Sequence, residues 1–569
     1  MNAMERYRTW LNDPLLDEDL REELLSIQED IQEINERFYQ DISFGTAGLR
    51  GIIQAGSNCM NTYTVKLASE AMARMLEETG TAEQGIVIAY DSRHKSDLFA
   101  REAALVFCAH HIPTYLFREI TPVPILSFGV QHLGCAAGVV VTASHNPSPY
   151  NGYKAYAAYG GQLDPTDSDL VLSHMRSLSS LADVKTMDEE DALYEGFLQY
   201  IDDVVLEPYY DGILAGMLSP DVVKRQGDIP IVYTPLYGAG NVPVRHLMKE
   251  AGFTNVHVVK GQSHPDGDFP TVSAPNPEEP DAMALAVAEG HKRGAKLIIG
   301  TDPDSDRMAA CIPNGAAYLQ LTGNQIASIL LYYKLSILQE RSALPQNGLI
   351  TRSVVSTSLV DRIATSFGQG VAVLLTGFRY ASQQVAQAAK AGRPFLFAFE
   401  ESYGYLFTEL SRDKDAVSAS LYLAEAACYY QEKGQTLLDV LTEIYQAYGH
   451  QLEGVQTLSY PGADGLSTMQ AIMAQQEAIL PATLGGKAVL CMRDYRNNRR
   501  LTPSRIAEGD FPKADMLFYE LEGGSWACLR PSGTEPKLKI YASAIGADMA
   551  HTQNLLDDIL RDTKALLGQ

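Results

Sequence analysis

The sequence predicts a chain of α/β domains closed by a C-terminal α+β domain. Three observations carry this: the length, a repeated alternation of short β-branched runs with helical stretches, and a change of pattern in the tail. At 569 residues the chain exceeds what one hydrophobic core serves, and roughly three to four domains are expected. Its 46% hydrophobic and 20% charged residues are those of an ordinary globular protein.

In chain order, residues 3–40 read as a polar helical lead-in, with Leu15, Leu20, Leu24, Ile27, Ile31 and Ile34 at helical spacing. Strand-like runs follow at 85–90, 136–141, 230–233, 255–259, 296–299, 349–355, 371–375 and 394–399, with helical stretches such as 64–78 and 281–293 between them. Such alternation implies parallel sheets built from βαβ units. The tail changes character. Strand-like runs at 488–495, 516–521, 525–529 and 538–542 follow one another, with Glu522-Gly523-Gly524 as a turn, before an amphipathic helix over 548–567. Polar, Pro-containing stretches at 206–230 and 340–347 are candidate joints. The expected division is a lead-in at 1–42, α/β domains at 43–205, 206–325 and 326–454, and an α+β domain at 455–569.

The formal charge of −25, from 70 acidic against 45 basic residues, argues against nucleic-acid or anionic-membrane partners, which require a basic surface. A small anionic substrate stays open, because a local Arg and Lys cluster can bind phosphate. The seven cysteines are scattered and form no Cys-x-x-Cys pair, a pattern that fits buried thiols in a reducing compartment. Met1 to Leu20 mixes Glu, Arg and Asp with its apolar residues, unlike a signal peptide. No apolar run is long enough to span a bilayer, and the expected location is the cytoplasm.

Ligands of α/β sheets gather at the carboxyl ends of strands, and four loops there carry chemistry. Run 136–141 leads into Thr142-Ala143-Ser144-His145-Asn146-Pro147 and then Asn151-Gly152-Tyr153-Lys154. Small neighbours expose the Ser144 hydroxyl, and Lys154 can place an ammonium near developing charge. Taken alone, Ser-x-Asn-Pro is more often a capping turn. Run 296–299 leads into Asp302-Pro303-Asp304-Ser305-Asp306-Arg307. Three alternating carboxylates repel one another unless a cation joins them. An EF-hand loop would need Gly and Glu where Arg307 and Pro313 stand, so the all-oxygen set suits Mg²⁺ better than a calcium loop. Arg530-Pro531-Ser532-Gly533-Thr534 offers a guanidinium fork, two hydroxyls and free backbone N–H groups, either a phosphate nest or a Ser-Gly hairpin turn. Phe399-Glu400-Glu401-Ser402-Tyr403-Gly404-Tyr405 suits sugar hydroxyls; alone it reads equally as an acidic helix start. Gly238-Ala239-Gly240-Asn241-Val242-Pro243 is a tight strand-to-helix turn, because Pro243 and Lys260 stand where a dinucleotide site needs Gly and an acid.

Together these loops resemble the α-D-phosphohexomutase superfamily of phosphoglucomutases and phosphomannomutases. They occur in that family's order from Gly45 to Tyr541. The lead-in and Arg412-Asp413-Lys414-Asp415-Ala416 resemble its longer branch, which includes bacterial phosphoglucomutases and phosphopentomutases. The resemblance implies three similar α/β domains with mixed, mostly parallel sheets plus a C-terminal α+β domain around a central cleft. It implies a magnesium-dependent phosphoglucomutase-type isomerase acting on hexose 1- and 6-phosphates, as a monomer or dimer, with glucose 1,6-bisphosphate as activator and intermediate. Ser144 then matches the phosphorylated serine and a metal contact, with Asp302, Asp304 and Asp306 the metal ligands. Arg50 and Lys154 match residues that assist transfer. His145, Arg307, Thr376, Gly377, Arg379, Glu400, Ser402, Lys414, Arg530, Ser532, Gly533 and Thr534 match sugar- or phosphate-binding positions. Phe399 and Tyr405 depart from other branches, which leaves mannose or pentose phosphates open as substrates; a Mg²⁺-dependent phosphatase or sugar-bisphosphate synthase on the same scaffold is a separate alternative.

Overall fold

The computed structural model describes residues 2–42, 44, 48–460, 465–532 and 537–568. It divides into two compact units, Met1–Thr322 with Ala381–Thr436, and Gly323–Tyr380 with Leu437–Gln569.

In the first unit the lead-in forms three short helices, Ala3–Leu11, Glu18–Ser26 and Ile31–Phe38. Asn2 and Asp30 cap two of them, each accepting a backbone N–H with its side chain. Tyr7, Trp10, Leu20, Leu24, Ile34 and Phe38 share one core, and Trp10 stacks on Tyr63 with ring centroids 3.9 Å apart. The single stripe expected from the spacing breaks where the chain turns, so Leu15 and Ile31 are exposed.

Two sheets follow. The strands of the first are β1 (Leu49–Ile52), β2 (Ile86–Tyr90), β3 (Thr114–Phe117), β4 (Ala137–Val141), β5 (Tyr150–Ala157) and β6 (Leu198–Ile201), in the order β1-β5-β4-β2-β3-β6. β4, β2, β3 and β6 run parallel, while β5 lies antiparallel to both β4 and β1. The second contains β7 (Ile231–Thr234), β8 (Val256–Val258), β9 (Leu297–Thr301), β10 (Met308–Asn314) and β11 (Ala317–Gln320), in the order β11-β10-β9-β7-β8. Here too a parallel set, β9-β7-β8, carries an antiparallel pair at one edge. β2, β4, β7 and β9 are apolar along their length and almost wholly buried, as strands covered on both faces must be. The unit also holds the antiparallel hairpin Phe395–Glu400 with Gly404–Leu406, and the buried helix Ala416–Glu432.

The second unit contains a parallel pair, Leu349–Ser353 with Val371–Leu374, and the tail sheet. In the tail sheet His450–Ser459 pairs along ten residues with Lys537–Gly546, which continues through Trp526–Pro531 and Leu517–Leu521 to Lys487–Asp494. Helix Met549–Leu566 adds Leu555, Leu556, Ile559 and Leu560 to its core. Three expected domain boundaries fall inside elements: helix Asp203–Ala215 crosses 205/206, helix Gly323–Glu340 crosses 325/326, and strand His450–Ser459 crosses 454/455. Of these, only 205/206 touches a stretch marked as a joint by its polar, Pro-containing composition, and helix hydrogen bonding runs through it.

Candidate active site

The site grows from the ends of β4 and β9. β4 ends at Val141, and the chain returns as β5 with Val140 opposite Lys154 and Val141 opposite Tyr153. The return is tight: a Cβ on Gly152 would lie 2.6 Å from the Thr142 carbonyl and 2.7 Å from that of Leu49, so a side chain there would force the strands apart. Strand alternation then sends Tyr153 into the core and turns Lys154 and Tyr156 to the other face. There Lys154 Nζ meets Asp304 and Asp306, and the Tyr156 hydroxyl donates to Asp413 Oδ2 across 3.0 Å.

The loop between β4 and β5 holds Ser144 in the left-handed region, φ 51°, which a non-glycine residue adopts only when its surroundings impose it. Its N–H donates to Thr142 Oγ1 at 2.8 Å, and Thr142 Oγ1 in turn donates to Asp91 Oδ2 at 2.6 Å. The side chain is thereby turned toward β9, and Ser144 Oγ donates to Asp302 Oδ2 across 2.7 Å. His145 Nδ1 lies 3.2 Å from the same hydroxyl. Burial, followed by the Arg307 and Arg50 charges, holds this imidazole well below the usual histidine range, so it is neutral.

β9 and β10 form a hairpin whose loop carries Asp302, Asp304 and Asp306, with Met308 opposite Thr301. Asp302 Oδ1 accepts the N–H groups of Asp306 and Arg307 at 3.1 and 2.9 Å, which leaves Oδ2 for Ser144. The three carboxylates are buried, and one oxygen from each lies within 4.8 Å of the others. Burial and then its two acidic neighbours push the Asp302 carboxyl well above the carboxylate range. Burial would raise Asp306 as well, but Lys154, Lys414 and Arg307 hold it low. Lys154 Nζ stands 2.7 Å from Asp304 Oδ2 and 3.1 Å from Asp306 Oδ2, and Lys414 Nζ 3.2 Å from Asp306 Oδ2. The other oxygens, Asp304 Oδ1 and Asp306 Oδ1, are buried with no hydrogen-bond partner among the described residues. Leaving such atoms dry costs several kcal/mol unless a cation takes them. The donor set is all oxygen, so it fits a hard divalent metal.

The loop is braced from behind. A Cβ on Gly238 would lie 2.4 Å from Pro303 Cα, and one on Gly240 would lie 2.4 Å from Ser305 Oγ, while Ala239 N–H donates to the Pro303 carbonyl at 2.8 Å. The Gly-Ala-Gly turn, tight as expected, therefore has a second use as the bed of the carboxylate loop.

Three family models match in succession: the alpha/beta/alpha domains I, II and III of phosphoglucomutase/phosphomannomutase, over residues 41–181, 207–315 and 322–448. The chain belongs to the phosphoglucomutase/phosphomannomutase family. Its fold is that of the phosphohexomutases, and it is an enzyme of the isomerase class. A phosphoglucomutase from Staphylococcus haemolyticus is 32% identical over 521 residues, 89% of this chain and 91% of that protein. One from Staphylococcus aureus strain MRSA252 is 32% identical over 545 residues, 95% of each chain. Among solved structures, the Paramecium phosphoglucomutase parafusin in its open form shares the fold with a TM-score of 0.69 at 15% identity, covering 93% of this chain and 97% of that one. Family and buried carboxylate triad together point to a divalent metal.

Other expected site residues of this phosphohexomutase lie around the same loops. Arg50, on β1, donates to Asn146 Oδ1 at 3.2 Å. Arg307 donates to Glu278 Oε1 at 2.6 Å. Glu400 ends its strand, and burial pushes its carboxyl up to about 7 against the pull of Lys414. Lys414 also lies 3.2 Å from Asp413 Oδ1, and its stem crosses Gly404 so closely that a Cβ there would sit 2.1 Å from Lys414 Cδ. Ser402 lies in the half-exposed turn between Glu400 and Gly404. The departures at Phe399 and Tyr405 are core positions: the two residues face each other across the hairpin and are 1% and 0% exposed.

The remaining expected residues belong to the second unit. Thr376 and Gly377 (φ 119°) follow strand Val371–Leu374, and Arg379 Nη2 donates to the Tyr380 hydroxyl at 3.0 Å. Arg530 lies on strand Trp526–Pro531, and Ser532 N–H donates to the Lys537 carbonyl at 2.8 Å. Gly533 and Thr534, like Gly45, lie outside the described residues. Sequence reasoning missed Asp91, Arg93 and Glu278. Asp91-Ser92-Arg93 stands at the carboxyl end of β2, the position that should have drawn notice.

Proposed function

We propose that this enzyme interconverts hexose 1-phosphate and hexose 6-phosphate, with glucose the preferred hexose, and that Ser144 carries the transferred phosphoryl group. The observation that carries the reading is the hydroxyl of Ser144, 2.7 Å from Asp302 Oδ2 in a buried three-carboxylate loop. The relatives named phosphoglucomutase support glucose. Phe399 and Tyr405 are buried core residues, which fits packing positions rather than sugar contacts.

In the forward half-reaction the phosphoryl group leaves Ser144 Oγ for the free hydroxyl of the bound monophosphate. One P–O bond breaks as the other forms, and in the net step the sugar hydroxyl's proton ends on Ser144 Oγ. The product is glucose 1,6-bisphosphate, which returns its other phosphoryl group to Ser144 after turning over. Mg²⁺, held by Asp302, Asp304, Asp306 and the serine-borne group, supplies charge neutralisation when bound. Lys154, Lys414, Arg307 and Arg50 supply the protein's own positive charge for the same oxygens. Glu400 and Ser402 orient sugar hydroxyls. Thr376, Gly377, Arg379, Arg530, Ser532, Gly533 and Thr534 serve sugar and phosphate recognition. Seven buried, unbridged cysteines suit a cytoplasmic enzyme, and no helix among the described residues is long and apolar enough to cross a membrane.

The test is a panel of glucose, mannose, ribose and N-acetylglucosamine phosphates with Mg²⁺ and catalytic bisphosphate. Glucose phosphates should turn over fastest, and Ser144→Ala should lose turnover while still binding them. Undiminished activity in Ser144→Ala would refute the assignment.

A further inference from the structure

We propose that Arg93 is the positioning residue that sets Ser144 for phosphoryl transfer, and that Phe269, from the loop after β8, holds its guanidinium in place; the proposal rests on the mutase reading above. Arg93 has a wholly buried side chain. Its Nη1 donates to the carbonyls of Pro147 and Tyr150, each at 2.9 Å, and its Nη2 to those of Ser144, at 2.6 Å, and Asn146. Four carbonyls of one loop thus converge on one planar fork. A lysine's single ammonium cannot serve all four.

The arrangement ties both sides of the strained residue to one anchor. Asp91 accepts from Thr142, whose hydroxyl accepts the Ser144 N–H, and it pairs with Arg93 at 3.3 Å, whose fork takes the Ser144 carbonyl. With N–H and carbonyl both held, the φ of 51° is imposed, and from that backbone Oγ reaches Asp302 Oδ2.

The guanidinium's remaining face is covered by Phe269, with the Arg93 Cζ 5.0 Å from the ring centroid, a cation–π distance. Phe269 is 1% exposed, has φ 48° itself, and lies against the Tyr237 ring. The same loop meets the neighbouring residue twice. Asp268 lies 2.7 Å from His94 Nε2, and Gly267 lies so close that a Cβ would fall 2.7 Å from the His94 N. Through Arg93, the loop after β8 therefore determines where the nucleophile at the end of β4 sits.

Arg93→Lys and Phe269→Leu, assayed beside wild type with glucose 1-phosphate, Mg²⁺ and catalytic bisphosphate, test this. Since the Arg93 side chain is wholly buried against the loop, kcat per phosphorylatable enzyme should fall about 100-fold in Arg93→Lys. KM should stay within about twofold. Phe269→Leu should lower the same parameter by about tenfold, and it decides the matter if Arg93→Lys does not fold. An unchanged kcat, a loss carried by KM, or a loss that vanishes on counting only folded, phosphorylatable molecules would overturn the proposal. A wild type without mutase turnover would overturn the functional reading first, and this inference with it.

Discussion

Ser144 and Asp302, 158 positions apart in sequence, share a hydrogen bond of 2.7 Å between the serine hydroxyl and carboxylate Oδ2. One side of that bond is a loop held in a left-handed turn; the other is a carboxylate whose second oxygen is occupied by two backbone N–H groups. The serine thus reaches the carboxylate triad directly.

Lys154 separates charge balance from catalysis. Its ammonium neutralises Asp304 and Asp306 at 2.7 and 3.1 Å, so it competes with a divalent cation for the same carboxylates. Lys154→Met should therefore bind Mg²⁺ or Mn²⁺ more tightly in calorimetric titration. The same variant should lose about 10²- to 10³-fold in kcat, the usual cost of removing one preorganised charge donor.

Gly238 bears on the metal without touching it. A methyl group there meets Pro303 Cα at 2.4 Å, and backbone cannot swing aside as a side chain can. Gly238→Ala should displace the carboxylate loop and weaken divalent-metal binding by about tenfold or more, read by the same titration.

Gly404 tests the lysine on the other side. Gly404→Ala places Cβ 2.1 Å from Lys414 Cδ, which must draw Nζ away from Asp306, now at 3.2 Å. Turnover should fall by about 10²-fold. Metal binding should hold or tighten, the opposite of Gly238→Ala.

His110 carries a pH-dependent share of stability away from these loops. Its Nδ1 meets Glu77 at 2.7 Å and its Nε2 meets Glu70 at 2.8 Å. Burial lowers its basicity, but the two carboxylates more than reverse this, and its pKa is raised. Glu70, despite burial, is drawn down to about 2 by His110, the Lys185 N–H and Arg74. A raised histidine stabilises fully below its ordinary value and loses that contribution as pH rises through the raised one; a lowered glutamate loses its contribution as pH falls toward about 2. His110→Gln should cost about 2 kcal/mol near pH 6, and the deficit should shrink in denaturant melts as pH climbs into the alkaline range.

The central parallel strands and the metal loop were the easiest to read in the sequence, whereas the parallel strands β3 and β6 were not among the expected runs. β2, β4, β7 and β9 are short apolar runs because both faces are covered. β5 escaped notice as a strand because Asn151, Gly152 and Lys154 occupy it for the site's sake, which spoils its apolar pattern. β10 and β11 belong to an edge pair, and Pro313 stands in β10. The alternation of three carboxylates after β9 announced a cation because no apolar or turn requirement explains it. The place of Arg93, just past the carboxyl end of β2, is legible in sequence, but its partners are backbone carbonyls from 51 to 57 positions away, and such partners leave no mark there.

The role of Ser144 as phosphoryl carrier is tested most directly by the mass of the proteolytic peptide that holds it, after the enzyme is equilibrated with glucose 1,6-bisphosphate and Mg²⁺. One added phosphoryl group, located at Ser144, is expected, and it should be lost to glucose monophosphate on chase. An enzyme that turns over while the Ser144 peptide stays unmodified, or whose phosphoryl group lies on another residue, would contradict it.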